Sequence, residues 1–232
     1  MDLLKEIRRG LGLLTFRDRL AIARWLEEVN DAEAREYGVA EPAASYAATD
    51  PVFMTLEEFF EFEERSETRH EYVDGVVFAM TNPSVVHERI RHRLVVALDK
   101  HLGRGPCQVF SSGTRLLIQN EASNIGYLPD VMVDCDRDTW GKNFVRNPKL
   151  VIEVLSPSTH LTDRREKLHN YRLIDSVQEY VIAAQNEHKL TIYRRADGWR
   201  PEVCAGARGT SEFRSIGLVL SLQEIYDDII GG

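Results

Sequence analysis

Pro129-Asp130-Val131-Met132-Val133-Asp134 opens the stretch on which the fold is read, and Pro148-Lys149-Leu150-Val151-Ile152-Glu153-Val154-Leu155 continues it. Both runs are dominated by apolar and β-branched residues, the composition of strands. Glu153 stands inside the second run, where packing gives no reason for a carboxylate. Past Ser156-Pro157-Ser158-Thr159, a charged segment with Asp163, Arg164, Arg165, Glu166 and Lys167 reads as a helix. Asp163, Lys167 and Tyr171 recur every four residues and therefore share one of its faces. An acid on one strand, an acid on the next and a lysine beyond them are the parts of a metal-dependent phosphodiesterase site.

Magnesium or manganese takes oxygen ligands, usually one or two protein carboxylates with water and phosphate filling the rest. Asp130 and Glu153 supply those two carboxylates if both point to one face. The ion would polarise a scissile phosphate and acidify a water, and Lys167 would place the water or balance phosphoryl charge. Each residue also has an ordinary reading. Asp163 with Lys167 is then a surface ion pair worth about 0.3 kcal/mol, Asp130 a strand-end acid, and Glu153 a partner for Arg115.

Working outward, 232 residues suffice for one full domain with an appendage. An apolar content of 43% with 28% charged residues is that of a water-soluble globular chain. No apolar run approaches the roughly 20 residues of a membrane span, and acids interrupt the opening Met1-Asp2-Leu3-Leu4-Lys5-Glu6, so it is not read as a signal peptide. Cys107, Cys135 and Cys204 are odd in number, far apart and without CxxC spacing. They read as reduced thiols of a cytoplasmic protein rather than a disulfide or zinc framework. The net charge of −8 argues against non-specific coating of nucleic acid, which needs many Lys and Arg contacts to phosphate. It leaves room for a nuclease whose basic residues are local.

From 3 to 37 the apolar residues recur at helical spacing, and 38–51 is rich in Ala, Pro and Ser. Residues 1–51 are therefore expected to form a helical N-terminal extension and linker, and 52–232 the main domain. There the pattern gives a Thr55-capped helix to about 64, a hairpin turning at Asp74-Gly75, and a Ser84-capped helix to about 101. Strands are expected at 107–111, 115–119, 179–183 and 189–193, weaker extended pieces up to 220, and a closing helix at 221–229. The class is mixed α/β, helices packed on a mixed sheet.

Two basic clusters stand out: Arg89, Arg91, His92 and Arg93 on one helix, and Arg164, Arg165, Lys167, His169 and Arg172 on another. They form either a phosphate-binding rim around the acids or two solvated faces. Ser111, Ser112 and Arg115 either contact substrate or finish a strand. His87 and His92 are five residues apart, not the four of HExxH. Asp134, Asp136 and Asp138 lack the glycine and glutamate of an EF-hand loop.

Tyr127-Leu128-Pro129-Asp130-Val131, the 148–159 segment, Asp163-Arg164-Arg165-Glu166-Lys167 and Tyr171 together resemble the Uma-type restriction endonucleases of the PD-(D/E)xK nuclease superfamily. The likeness extends back through His70-Glu71-Tyr72-Val73-Asp74-Gly75 to Met54-Thr55-Leu56-Glu57-Glu58-Phe59. It runs forward through Gln178-Glu179-Tyr180 and Tyr193-Arg194-Arg195 to Ile225-Tyr226. The resemblance implies a restriction-endonuclease-like core, a curved mixed β-sheet flanked by helices, often assembled as a homodimer. It implies a Mg2+- or Mn2+-dependent DNA endonuclease with Asp130 and Glu153 as metal ligands. Glu71 matches the family's early acid and His87 its histidine on the first core helix. The superfamily lysine normally follows the glutamate by two residues; that position is Leu155 here, with Lys167 as the migrated replacement. The expectation is thus a cytoplasmic enzyme without membrane partners. Asp130, Glu153, Lys167, Glu71 and His87 would serve the chemistry, and Arg115, Arg164, Arg165 and Tyr171 the substrate. The alternative is a catalytically inactive relative, a dimeric nucleic-acid-binding or protein-interaction module, which Leu155 and the acidic net charge favour.

Overall fold

The computed structural model describes residues 54–80, 82–111, 113–120, 123–155 and 167–230. The expected extension over 1–51 lies outside them, as do Asp163, Arg164 and Arg165. Helix α1 (Leu56–Arg65) starts with a reciprocal cap, Thr55 Oγ1 accepting from Glu58 N while the Glu58 carboxylate accepts from Thr55 N. Strands β1 (His70–Val73) and β2 (Val76–Ala79) form a hairpin. Its turn residues Asp74 and Gly75 have φ of 47° and 97°, the double positive φ that an Asp-Gly pair tolerates. Helix α2 (Val85–Leu102) is capped by Ser84, whose hydroxyl accepts from His87 N, and it buries His87, Ile90, Leu94 and Leu98. That spacing of three and four is the apolar stripe of a surface helix.

Strands β3 (Gln108–Ser111), β4 (Arg115–Gln119), β5 (Asn124–Tyr127), β6 (Val131–Asp134), β7 (Phe144–Val145) and β8 (Pro148–Val154) follow. The chain continues through a short helix α3 (Leu168–Arg172), then β9 (Glu179–Ala183), β10 (Lys189–Arg194) and β11 (Pro201–Ala205). It closes with β12 (Thr210–Phe213), β13 (Leu218–Ser221) and helix α4 (Leu222–Tyr226). One sheet has the order β2-β1-β5-β4-β7, a second β11-β10-β9-β8-β6-β3, and β12 pairs with β13 alone. The pairs β4–β7 and β8–β9 are parallel and the others antiparallel, so the sheets are mixed.

The central strands β6, β8 and β9 of the second sheet are buried on both faces. Val131, Val133, Ile152, Val154 and Val181 meet Ile90, Leu94 and Leu98 of α2 on one side. Met132, Val151 and Ile182 meet Leu116, Ile125 and Tyr127 of the first sheet, with Tyr171 of α3, on the other. A strand covered on both faces favours apolar residues at successive positions, which is why β6, β8 and β9 read as largely apolar runs, with Glu153 the acid inside β8. Side chains alternate along β8, so Glu153 falls on the Val151 side, toward the first sheet.

The cysteine expectation is corrected. Cys107 and Cys135 form a disulfide, and Cys204 is the free thiol. The antiparallel register pairs Gln108 with Asp134, so the residues just beyond each strand, Cys107 and Cys135, stand opposite one another. Spacing along the sequence is blind to that cross-strand partnership. The bond removes the thiol-based ground for a reducing, cytoplasmic setting. Among the described residues no helix is long and apolar enough to cross a membrane.

Candidate active site

At Leu128-Pro129-Asp130 the chain leaves the first sheet after β5 and enters the second at β6. Pro129, with its fixed φ and no N–H, suits a connection that carries no ladder bond. The crossover sets Asp130 beside the end of β8, where Val131 pairs with Ile152. Glu153 Oε2 accepts from Asp130 N at 3.3 Å, and Asp130 Oδ2 accepts from Val154 N at 2.7 Å. The two acids therefore meet at one point, as the motif requires. Glu153 is only 4% exposed, whereas Asp130 is partly open.

Lys167 enters at the start of α3 and donates to both Glu153 Oε1 and Glu71 Oε1, each at 3.1 Å. Its ammonium also lies 5.3 Å from the centre of the Tyr127 ring. Leu155, in the superfamily lysine position, shares the strand side of Glu153 but sits in the apolar cluster with Tyr171 and Tyr180. The amine thus reaches from α3 the side of the strand that the sequence leaves apolar. Glu71, on β1, also accepts from Leu128 N at 3.0 Å, which ties the first sheet to the crossover.

His87 Nε2 lies 3.1 Å from Asp130 Oδ2; a carboxylate only accepts, so the imidazole supplies the proton. Among the described residues its buried Nδ1 has no hydrogen-bond partner, the nearby Glu88 Oε1 lying at 3.8 Å. Burial by itself would lower the His87 pKa; the Asp130 hydrogen bond and charge, with Glu88 against Arg91, outweigh it and raise the pKa. Tyr171 donates to Glu153 Oε1 at 2.8 Å. Burial, and then the Glu153 charge, push its hydroxyl well above the ordinary tyrosine range.

Tyr171 is wholly buried, so it does not face a substrate as expected but lies beneath the acids. Arg115 is corrected as well. Its guanidinium is buried, bonds Glu63, His70 O and Gly126 O at 2.8–3.1 Å, and lies over the Phe59 ring. Its donors are committed to joining α1, β1 and β5, and Glu153 pairs with Lys167 instead. The α2 basic cluster divides. Arg91 pairs with Glu88, while Arg89, His92 and Arg93 line a shallow groove of about 450 Å³ with Pro83 and Val85. Arg89 and His92 fall about 200° and 140° around the helix from His87 at 3.6 residues per turn, away from the acids. Sequence reading quoted Tyr127 within the motif but gave it neither a role nor a strand, since its strand is four residues long and interrupted by Gly126. It also missed Gln185, which accepts from the Ser84 hydroxyl and donates to Leu155 O, strapping the start of α2 to the end of β8.

The donor set suits a hard divalent ion. Asp130 Oδ1 and Glu71 Oε2 accept no hydrogen bond among the described residues, and Glu153 Oε2 turns toward Asp130. Among the described residues no three His, Cys, Asp or Glu side chains close into a metal cage; Mg2+ commonly takes only one or two protein carboxylates. Three carboxylates meet one ammonium and one imidazole, so the described cluster keeps a negative surplus even with His87 protonated.

A family model described as "Uma2: Putative restriction endonuclease" matches residues 56–223. "Uncharacterized protein slr1290" of Synechocystis sp. is 34% identical over 187 residues, covering 80% of this chain and 95% of that one. "Uncharacterized protein sll1609" of the same organism is 30% identical over 145 residues, 61% of this chain and 81% of its own. A crystal structure from Anabaena variabilis, described as "a putative nuclease belonging to DUF820", matches with a TM-score of 0.61 at 20% identity. The match covers 75% of this chain and 97% of that one, and it shows a shared restriction-endonuclease-like fold.

Proposed function

The chain belongs to the Uma2 restriction endonuclease family, and from that premise we propose a divalent-metal-dependent endonuclease that hydrolyses DNA phosphodiester bonds. The observation that carries this reading is common to three acids. Asp130 Oδ2 is filled by Val154 N and His87, Glu153 Oε1 by Tyr171 and Lys167, and Glu71 Oε1 by Leu128 N and Lys167. Asp130 and Glu71 are thus each anchored through one oxygen, which orients the second, while Glu153 is anchored at Oε1 and its Oε2 also accepts from Asp130 N. Asp130 and Glu153 would hold Mg2+ or Mn2+; when bound, the ion supplies Lewis-acid polarisation of the phosphate and acidifies water. Lys167 balances charge at the phosphoryl group, Glu71 anchors Lys167 from the first sheet, and His87 keeps Asp130 oriented. Arg164 and Arg165 serve as phosphate contacts, and a second copy of the chain completes the assembly.

The test is a thermal-shift titration with Mn2+ of wild type and Asp130→Ala, run beside cleavage of supercoiled DNA with and without chelator. At a hundredfold excess over Kd, linkage adds about 2.7 kcal/mol to wild type, and the variant gains nothing. A wild type whose melting ignores Mn2+ removes the enzyme reading. The second reading, an inactive binding module, draws on the burial of Glu153 and of Lys167 at 5% exposure. It expects DNA binding or dimerisation without any metal-dependent shift.

A further inference from the structure

Tyr171 is 0% exposed, and its ring stands edge-on to Tyr127 at 5.7 Å and to Tyr180 at 5.0 Å. Packing of that kind fixes the ring, and a buried phenol needs a polar partner at its tip. The partner is Glu153 Oε1, at 2.8 Å, the same oxygen that takes the Lys167 ammonium at 3.1 Å. A glutamate side chain has three rotatable bonds and would otherwise sample several orientations. Two donors on one oxygen, one of them on a locked aromatic ring, select a single orientation. Glu153 Oε2 then lies toward Asp130, whose amide it meets at 3.3 Å.

Resting on the nuclease reading above, we infer that Tyr171 is a positioning residue for Glu153. With Lys167 it holds Oε1, so that the carboxylate presents Oε2 alone toward Asp130 and takes a divalent cation through one oxygen. Tyr171 touches neither substrate nor ion; it acts through the carboxylate. The hydroxyl, not the ring, carries the assignment, since a phenylalanine would pack equally between Tyr127 and Tyr180.

Tyr171→Phe is therefore the informative variant, with its metal-free melting as the control for folding. Calorimetric titration reads Mn2+ affinity. Infrared difference spectra read the carboxylate stretches, assigned to Glu153 by their loss in Glu153→Gln. The expected result is a Mn2+ Kd weakened about 10-fold or more, with a narrower splitting between the antisymmetric and symmetric stretches as both oxygens turn to the ion. Wild-type affinity and unchanged splitting in Tyr171→Phe overturn the assignment and leave the nuclease reading standing. A wild type that binds no Mn2+ overturns both. Should Tyr171→Phe fail to fold, difluorotyrosine at position 171 keeps the ring and strengthens the donor. It should shift the Glu153 bands, and unshifted bands overturn the assignment.

Discussion

Asp130 and Glu153 are latched together by the backbone in both directions. Asp130 N donates to the Glu153 carboxylate, and the amide of Val154, next after Glu153, donates to the Asp130 carboxylate. The antiparallel pairing of β6 with β8 builds this latch, so the two acids meet before any ligand arrives. Preorganisation of that sort is what a site needs if binding is not to be spent on ordering side chains.

Truncating Asp130 should therefore lower stability as well as metal affinity. Asp130→Ala leaves Val154 N and His87 Nε2 without their acceptor, at a cost of about 1–3 kcal/mol. Asp130→Asn keeps an oxygen for the amide and should lose less, while both variants lose Mn2+ binding. Urea denaturation in chelator should rank wild type above Asn and Asn above Ala. Equal stability for all three would mean that the latch contributes nothing.

Lys167 neutralises acids that solvent hardly reaches. Lys167→Met should cost about 3 kcal/mol, because removing one partner of a buried pair leaves the other uncompensated. Adding Glu71→Gln takes away one of the stranded charges and should recover part of that loss. A double-mutant cycle measures the coupling directly. Additive losses would show that Lys167 and Glu71 do not interact.

The sequence made much of this site legible because its parts break local rules. Glu153 is an acid in a strand buried on both faces, and Asp130 follows a proline between two runs. Lys167 recurs with Tyr171 at helical spacing. Hidden from it were relations that only the sheet register creates, such as Cys107 against Cys135 and Val154 N against Asp130. Arg115 was misjudged because a charged residue at the start of a strand looks alike in sequence whether its partners are phosphates or the buried Glu63. Tyr171 was misplaced because helical spacing names a face without saying what covers it.

The disulfide closes a 28-residue separation. A cross-link of that span contributes about 3.6 kcal/mol through the unfolded chain. Cys107→Ser with Cys135→Ser should lower urea stability by about that amount, and added reductant should have little further effect on the double variant. Thiol titration of the unreduced wild type should count Cys204 alone. Three titratable thiols would contradict the bridge.

Arg115 separates a structural ion pair from a phosphate contact. Arg115→Met takes from buried Glu63 its closer guanidinium partner, leaving His70 and the exposed Arg69 at 3.8 Å, and should cost about 3 kcal/mol of stability. DNA affinity of the folded variant should match wild type, measured well below its melting temperature. Selective loss of affinity with stability unchanged would return Arg115 to the substrate side.

His87 gives the site a pH signature in the metal-free protein. Asp130 and Glu88, acting against Arg91 and burial, raise its folded pKa above the ordinary 6.5. Proton linkage then has a definite sign: the stabilisation is fully present below the unfolded value and disappears as pH rises through the higher folded value. His87→Gln should therefore be most destabilised relative to wild type near about pH 5.5, with the gap narrowing toward about pH 8.5. Denaturation midpoints of the two proteins across that range measure it. A gap that widens with pH would mean that burial wins and the imidazole is held neutral, with Asp130 too weak a partner to keep it charged.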